Sequence, residues 1–276
     1  MSEVPPVHVD VYGRTDAGRV RKENEDHFVI VSLRKAMEIR QTSLPDPHVF
    51  DQLHGPEALL FVVADGVGGH FGGELASGTA VTSVVEFVGQ AAGCFHSLDV
   101  DREHEFLGQL ETAVQRAHEK IVQEHGSRGQ SPATTLTLAA LVWPRAYLVH
   151  VGDSRALYMR NGRLRHLTRD QTMGQFMVDS GAWTEEQAQR ARPGATLISA
   201  VGGPEMNPSV GLIDLLQGDV LLLCTDGLTK HVPDERITEI LGQRHSAEVM
   251  CQELVDAALT AGGTDNVTAI VARMGA

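Results

Sequence analysis

The sequence predicts an α+β fold in which helices cover the outer faces of sheets whose inner faces meet. Three observations carry this. Two apolar runs, Ala58 to Ala64 and Val220 to Cys224, each lead into an Asp-Gly pair, and an apolar run bounded by glycine reads as a strand covered on both faces. Two amphipathic helical segments follow the first run and two more follow the second. Strand-like segments fill the space between the helix pairs, a pattern that puts helices outside packed sheets.

Val7 to Val11 alternates apolar and polar residues, as a half-buried strand does. Gly13 to Glu25 is polar and reads as irregular, and Phe28 to Val31 resumes as a strand. Residues 34–57 carry Pro45, Pro47 and Pro56 amid mixed charge and read as a surface insertion between strands. Gly73 to Gly93 sets Leu75, Ala76, Ala80, Val84, Phe87 and Val88 at helical spacing. Asp101 to His125 repeats that logic with Phe106, Leu110, Ala113, Ala117 and Ile121. Thr134 to Trp143 and Ala146 to Val151 are β-branched and aliphatic. Arg155 to Arg160 and Arg163 to Leu167 flank Asn161-Gly162, a two-residue hairpin signal.

Thr172 to Ala191 is helical and polar, with Thr184 and Gln187 forming a capping box. The stretch 171–199 holds Gly174, Gly181, Pro193 and Gly194 and interrupts a strand-rich region, so it reads as a mobile flap. Leu197 to Gly203 and Pro208 to Leu216 are expected to include further strands. Pro233 to Leu241 and Ser246 to Ala261 are the last helices, ended by Gly262 and Gly263. Val267 to Ala272 is the final strand.

Composition narrows the function classes. A net charge of -13 argues against non-specific nucleic-acid binding. No segment approaches the roughly 18 to 20 apolar residues of a membrane span, and Met1 to Val11 lacks the basic flank and apolar core of a signal peptide. Cys94, Cys224 and Cys251 show no metal-ligand spacing; Cys224 lies inside an apolar strand and reads as a small buried hydrophobe. These features fit a cytoplasmic protein. None of the cysteines is followed by five residues and an Arg, so a cysteine-phosphatase loop is absent.

The chemistry gathers on carboxylates. A lone Asp-Gly is ordinarily a turn. Here Asp65-Gly66 and Asp226-Gly227 each terminate an apolar strand, and Asp265 precedes another. Carboxylates at the ends of separate buried strands suggest one shared site for a hard cation. Oxygen ligands without Cys or paired His select Mg²⁺ or Mn²⁺ over Zn²⁺. Two such ions about 3.5 to 4 Å apart can activate water and clamp a phosphoryl group. A dinucleotide fingerprint at Asp65 to Gly73 fails, because Phe71 stands where the third glycine belongs and Asp65 would repel a pyrophosphate. A Ca²⁺ module is disfavoured because the ligands are dispersed rather than held in one loop.

Five segments in order carry a family resemblance: Arg21-Lys22-Glu23-Asn24-Glu25-Asp26, Asp65-Gly66-Val67-Gly68-Gly69-His70, Val151-Gly152-Asp153-Ser154-Arg155, Cys224-Thr225-Asp226-Gly227-Leu228 and Gly263-Thr264-Asp265-Asn266. Together they resemble the motif set of the metal-dependent serine/threonine protein phosphatases (the PPM family, type 2C) in their bacterial form. The resemblance implies a single domain over 1–276: a four-layer α-β-β-α sandwich of two antiparallel sheets face to face, with metals at one edge. It implies that Asp65 bridges two Mn²⁺ or Mg²⁺ ions and that the Gly66 carbonyl binds one of them. Asp226 and Asp265 would complete the other ion's ligands, and Glu25 and Asp26 would hold the surrounding waters. Arg21 would grip the substrate phosphate.

Asp153, which the local sequence leaves open as a turn residue, would help Asp226 hold a third, weaker ion. The implied reaction is direct hydrolysis of phosphoserine or phosphothreonine proteins by a metal-activated water. The substrates would be those of a kinase, or a kinase itself, and the enzyme would act as a monomer. Many relatives place a His directly after the first Asp-Gly to protonate the leaving alkoxide; Val67 stands there instead, and His70 reads as a loop or core residue. The competing reading is a non-catalytic protein of the same fold that binds a kinase or phosphoprotein. Degenerate relatives of that kind lose metal carboxylates, whereas Asp65, Asp226 and Asp265 are all present.

Overall fold

The computed structural model describes residues 7–33, 58–67, 72–91, 100–125 and 132–275. The expected insertion at 34–57, His70 and Cys94 lie outside the described residues. The chain runs β1 (Val9–Asp16), β2 (Asp26–Leu33), β3 (Ala58–Val67), α1 (Gly72–Ala91), α2 (Val100–His125), β4 (Ala133–Thr134), β5 (Leu136–Val142), β6 (Arg145–Val151), β7 (Arg155–Arg160) and β8 (Arg163–His166). It continues through α3 (Met173–Asp179), α4 (Glu185–Arg190), β9 (Ser209–Asp214), β10 (Val220–Cys224), α5 (Asp226–Thr229), α6 (Asp234–Leu241), α7 (Ala247–Thr260) and β11 (Val267–Met274). One sheet has the order β1-β11-β10-β7-β8; the other runs β2-β3-β5-β6-β9, with β4 attached to β3. All named pairs are antiparallel.

Alternation along the apolar strands shows how the layers stack. On β3, Leu59, Phe61 and Val63 join the core between the sheets, together with Leu221, Leu223 and Ile270 from the opposite sheet. The intervening Leu60, Val62 and Ala64 face α1 and α2, packing with Ala80, Val84, Leu110 and Ile121. On β10, Val220, Leu222 and Cys224 point the other way, against α6 and α7 residues such as Ile237, Ile240, Met250 and Leu254. Each strand is apolar throughout because both of its faces are covered. A fully buried Phe or Leu side chain contributes about 1.5–3 kcal/mol relative to exposure, so these three layers dominate the stability of the sandwich. The expected arrangement of two antiparallel sheets with helices outside is the observed one.

Local expectations fare unevenly. The Asn161-Gly162 hairpin turn is present, both residues having positive φ (52° and 73°), the conformation that a tight hairpin of right-twisted strands requires. The Thr184–Gln187 capping box is present at the start of α4. The helix expected over Thr172 to Ala191 is two helices, broken at Gly181, whose φ is 74°.

β1 begins at Val9 and reaches Asp16, well into the stretch read as irregular. Its partner β11 pairs it residue by residue, Val9 with Met274 through Asp16 with Val267, and this ladder holds a strand that polar composition conceals. Leu197 to Gly203 makes only single bridges, Thr172 with Leu197 and Thr134 with Val201. Gly202, with φ of 84°, turns the chain away before a ladder can form.

Candidate functional site

The strand β3 continues through Asp65 and Gly66 rather than ending before them. The Asp65 N–H donates to Thr135 Oγ1 at 3.0 Å, while the Thr135 N–H and the Thr134 hydroxyl both donate to the Asp65 carbonyl at 2.9 Å. The backbone that carries the Asp65 carboxylate is therefore fixed on both sides. Gly66 donates its N–H to the Glu25 carbonyl at 3.1 Å. A Cβ on Gly66 would stand 2.3 Å from the Gly73 carbonyl oxygen, so the close approach of β3, α1 and the Glu25 segment admits only glycine.

Asp26 faces Asp65 directly across the β2–β3 ladder. Its Oδ2 accepts hydrogen bonds from Thr225 Oγ1 (2.8 Å) and Thr268 Oγ1 (2.7 Å), at the ends of β10 and β11. One carboxylate thereby ties the two sheets together at the edge where the acidic residues meet. Asn266 completes the closure. Its Oδ1 accepts from the Glu25 N–H (2.9 Å), and its Nδ2 donates to the carbonyls of Ala17 (3.0 Å) and Glu23 (2.9 Å). Asp226 opens α5 immediately after β10, and Asp265 lies in the loop before β11. Asp153 is buried in the turn between β6 and β7.

These carboxyls feel one another. Burial, followed by the charges of Asp26, Asp226, Asp153 and Asp265, pushes Asp65 well above the usual carboxylate range. Burial raises Asp26 to about 7 against the two threonine hydrogen bonds. Burial and then Asp226 and Asp170 raise Asp153 to about 8. Glu25 is raised by burial with Arg21 opposing, and Asp226 by burial with Lys230 opposing. Such mutual elevation marks a site that needs added positive charge.

The residues suit a hard divalent cation. Glu25 Oε1, Asp26 Oδ1 and Asp226 Oδ1 are buried oxygens without a hydrogen-bond partner, and every candidate donor is oxygen. Among the described residues, no three His, Cys, Asp or Glu side chains close onto a common point. Lys230 stands between two of the carboxylates instead, its Nζ 2.5 Å from Asp226 Oδ2 and 3.0 Å from Asp265 Oδ2. Arg21 Nε approaches Asp265 Oδ1 at 2.9 Å, so Arg21 lies at the site rather than on a remote surface.

Asp65, Asp226, Asp265, Asp153, Glu25, Asp26 and Arg21 are thus all at one edge of the sandwich. Val67 is 38% exposed there and has no proton to give. Sequence reasoning missed Lys230, which the four-residue spacing from Asp226 could have suggested. It also missed Asp170, held by two hydrogen bonds from Arg155 at 2.8 and 2.7 Å, and His231, whose Nε2 accepts the Thr264 N–H at 2.8 Å. Neither carries a local signal, because each depends on loops brought together by the sheets.

A profile of the protein phosphatase 2C family matches residues 40–261. The chain is 35% identical over 217 residues to the serine/threonine protein phosphatase PstP of Mycobacterium tuberculosis, covering 78% of this chain and 40% of that protein. It therefore spans about two-fifths of the length of that relative. The S. agalactiae serine/threonine phosphatase structure superposes with a TM-score of 0.79 at 25% identity, covering 97% of this chain and 100% of the other. The catalytic domain of PstP, solved in complex with two manganese ions, gives a TM-score of 0.74 at 30% identity, covering 98% and 99%. With most of the sequence matched by the family profile and nearly all of the chain sharing this architecture, the chain belongs to the protein phosphatase 2C family.

Proposed function

We propose that this chain hydrolyses phosphoserine and phosphothreonine in phosphoproteins, using two Mn²⁺ or Mg²⁺ ions. Asp65 and the Gly66 carbonyl, with Asp226 and Asp265, would hold the two ions, and Asp153 with Asp226 a third, weaker one. When bound, the ions supply an activated water and neutralise charge on the phosphoryl oxygens. Glu25 and Asp26, each with a buried oxygen that lacks a partner, would accept hydrogen bonds from the waters around the ions. Arg21, half-exposed at the mouth, moves from Asp265 to the phosphoryl oxygens, where a guanidinium can engage two of them at once.

In-line displacement needs no protein nucleophile. Cys224 and Cys251 are buried with thiols pushed up to about 12 by burial, so neither is one. These reduced, buried thiols also fit the cytoplasm. The substrates are proteins phosphorylated by a serine/threonine kinase, or that kinase itself, and the chain acts as a monomer.

The observation that supports the reading is the meeting of carboxylates from both sheets around buried oxygens that lack partners. The test is phosphate release from a phosphothreonine peptide with and without Mn²⁺. Release that requires Mn²⁺ and stops with a chelator is expected. Asp65→Asn and Asp226→Asn should each abolish it while circular dichroism stays unchanged. Full turnover in metal-free buffer would overturn the metal assignment, and no turnover with Mn²⁺ would favour a non-catalytic phosphoprotein binder.

A further inference from the structure

Asp226 and Asp265 already share a cation that the chain itself supplies. Lys230 follows Asp226 by four residues, and its N–H donates to the Asp226 carbonyl at 2.8 Å, so the short helix α5 fixes where the stem begins. From there the ammonium reaches one oxygen of each carboxylate, at 2.5 and 3.0 Å. Arg21 takes the other oxygen of Asp265. The two carboxylate side chains are only 16% and 21% exposed, whereas the Lys230 side chain is 42% exposed. The carboxylates are therefore the shielded partners and the lysine side chain the more exposed one.

Contrast the Arg155–Asp170 pair nearby, in which both partners are committed to one another through two hydrogen bonds. Lys230 instead sits on the carboxylates assigned to a divalent ion under the proposed function, and the role inferred for it rests on that assignment. An ammonium and a divalent ion on the same oxygens would be close enough to repel strongly in so shielded a place.

We propose that Lys230 is a built-in competitor for the metal: its ammonium and the divalent ion alternate on Asp226 and Asp265. Without an ion, Lys230 keeps two mutually repelling carboxylates together. With an ion, it is released towards the mouth of the site, where Arg21 also lies. The apparent metal affinity is then lowered by whatever the lysine pair contributes, and Lys230 acts as a positioning residue rather than a catalytic one.

The test uses the full chain stripped of metal, with MnCl₂ as the probe, followed by calorimetric titration. Lys230→Met keeps the stem and removes the charge. It should bind Mn²⁺ roughly 10-fold or more tightly at one site, the worth of one charge-assisted pair. In chelator it should melt at a lower temperature than the wild type, and recover when Mn²⁺ is added. A merely structural lysine would give weaker metal binding on removal, not tighter. Equal or weaker affinity in the variant overturns the competition. A wild type that binds no Mn²⁺ at all overturns the metal assignment and this inference with it; normal wild-type binding with an unchanged variant overturns this inference alone. Should Lys230→Met fail to fold, the wild type still decides. Acylation of Lys230 by a small amine-reactive ester, read by mass spectrometry, should rise several-fold on Mn²⁺ saturation, and an unchanged or lower yield overturns the proposal.

Discussion

Asp153 stands, like Asp265, outside any strand, in the turn between β6 and β7. It is nonetheless buried, and burial with Asp226 and Asp170 raises it to about 8. If its carboxylate serves protonation of the leaving oxygen, a job Val67 cannot do, Asp153→Asn should cut kcat strongly and leave the fold intact. The loss should be larger for a phosphoserine peptide than for an activated aryl phosphate, whose leaving group needs no proton. Equal losses on both substrates would remove the leaving-group role. Arg21 makes the complementary case. Arg21→Ala should raise KM about 10-fold or more, because a charge-assisted hydrogen bond is worth roughly 1.5–3 kcal/mol; unchanged steady-state constants would return it to the solvated surface. Residues such as Asp65 and Asp226 were legible in the sequence because an apolar strand ending in Asp-Gly is a local pattern. Asp170 was not, since its importance comes only from the loops that the folded chain brings together, and Lys230 carried no signal beyond its four-residue spacing from Asp226.

Among the elements, the stretch 171–199 tests the notion of a flap. Its two helices, α3 and α4, are seven and six residues long, too short to be stable without packing. Phe176 is 55% exposed, so α3 leaves a large apolar side chain in water. The stem is better held: the Gln171 N–H donates to the Gly152 carbonyl at 2.7 Å, and the Ile198 N–H to the Gln171 carbonyl at 2.9 Å. Amide exchange should therefore be fast across α3 and α4 and slow in β10, whose residues are all buried. Uniform protection of both segments would contradict the flap. The break at Gly181 was not readable, and the stretch read as one helix, whereas the Thr184 cap was readable because it acts locally. β1 was misjudged for the opposite reason. Its strand character comes from β11, more than 250 positions away in sequence, where Asp16 pairs with Val267 and Val9 with Met274.

For the molecule as a whole, the acidic edge is where its two sheets are fastened. Asp26 and Asp65 belong to one sheet, Asp226 and Asp265 follow or precede strands of the other, and Thr225 and Thr268 bridge them through Asp26. The charges that would hold ions therefore also govern stability. Asp26 and Asp153 titrate at about 7 and about 8 when folded, against an ordinary value of 3.8. Between those values the folded chain keeps protons that the unfolded chain releases, so its stability must fall as pH rises through that window. A bound divalent ion favours the ionised carboxylates and removes the penalty, and its own affinity rises as the protons leave. In chelator, Tm should thus decline between about pH 5.5 and about pH 8.5 by more than in saturating Mn²⁺. At the higher pH, Mn²⁺ should raise Tm by about 5 °C or more, since an ion at 100 times its Kd adds about 2.7 kcal/mol. Scanning fluorimetry at the two pH values, with and without Mn²⁺, measures both effects. A Tm in chelator that climbs across the window, or a Mn²⁺ shift of equal size at both pH values, would mean that these carboxylates do not hold the sheets in tension and that the ions do not relieve them.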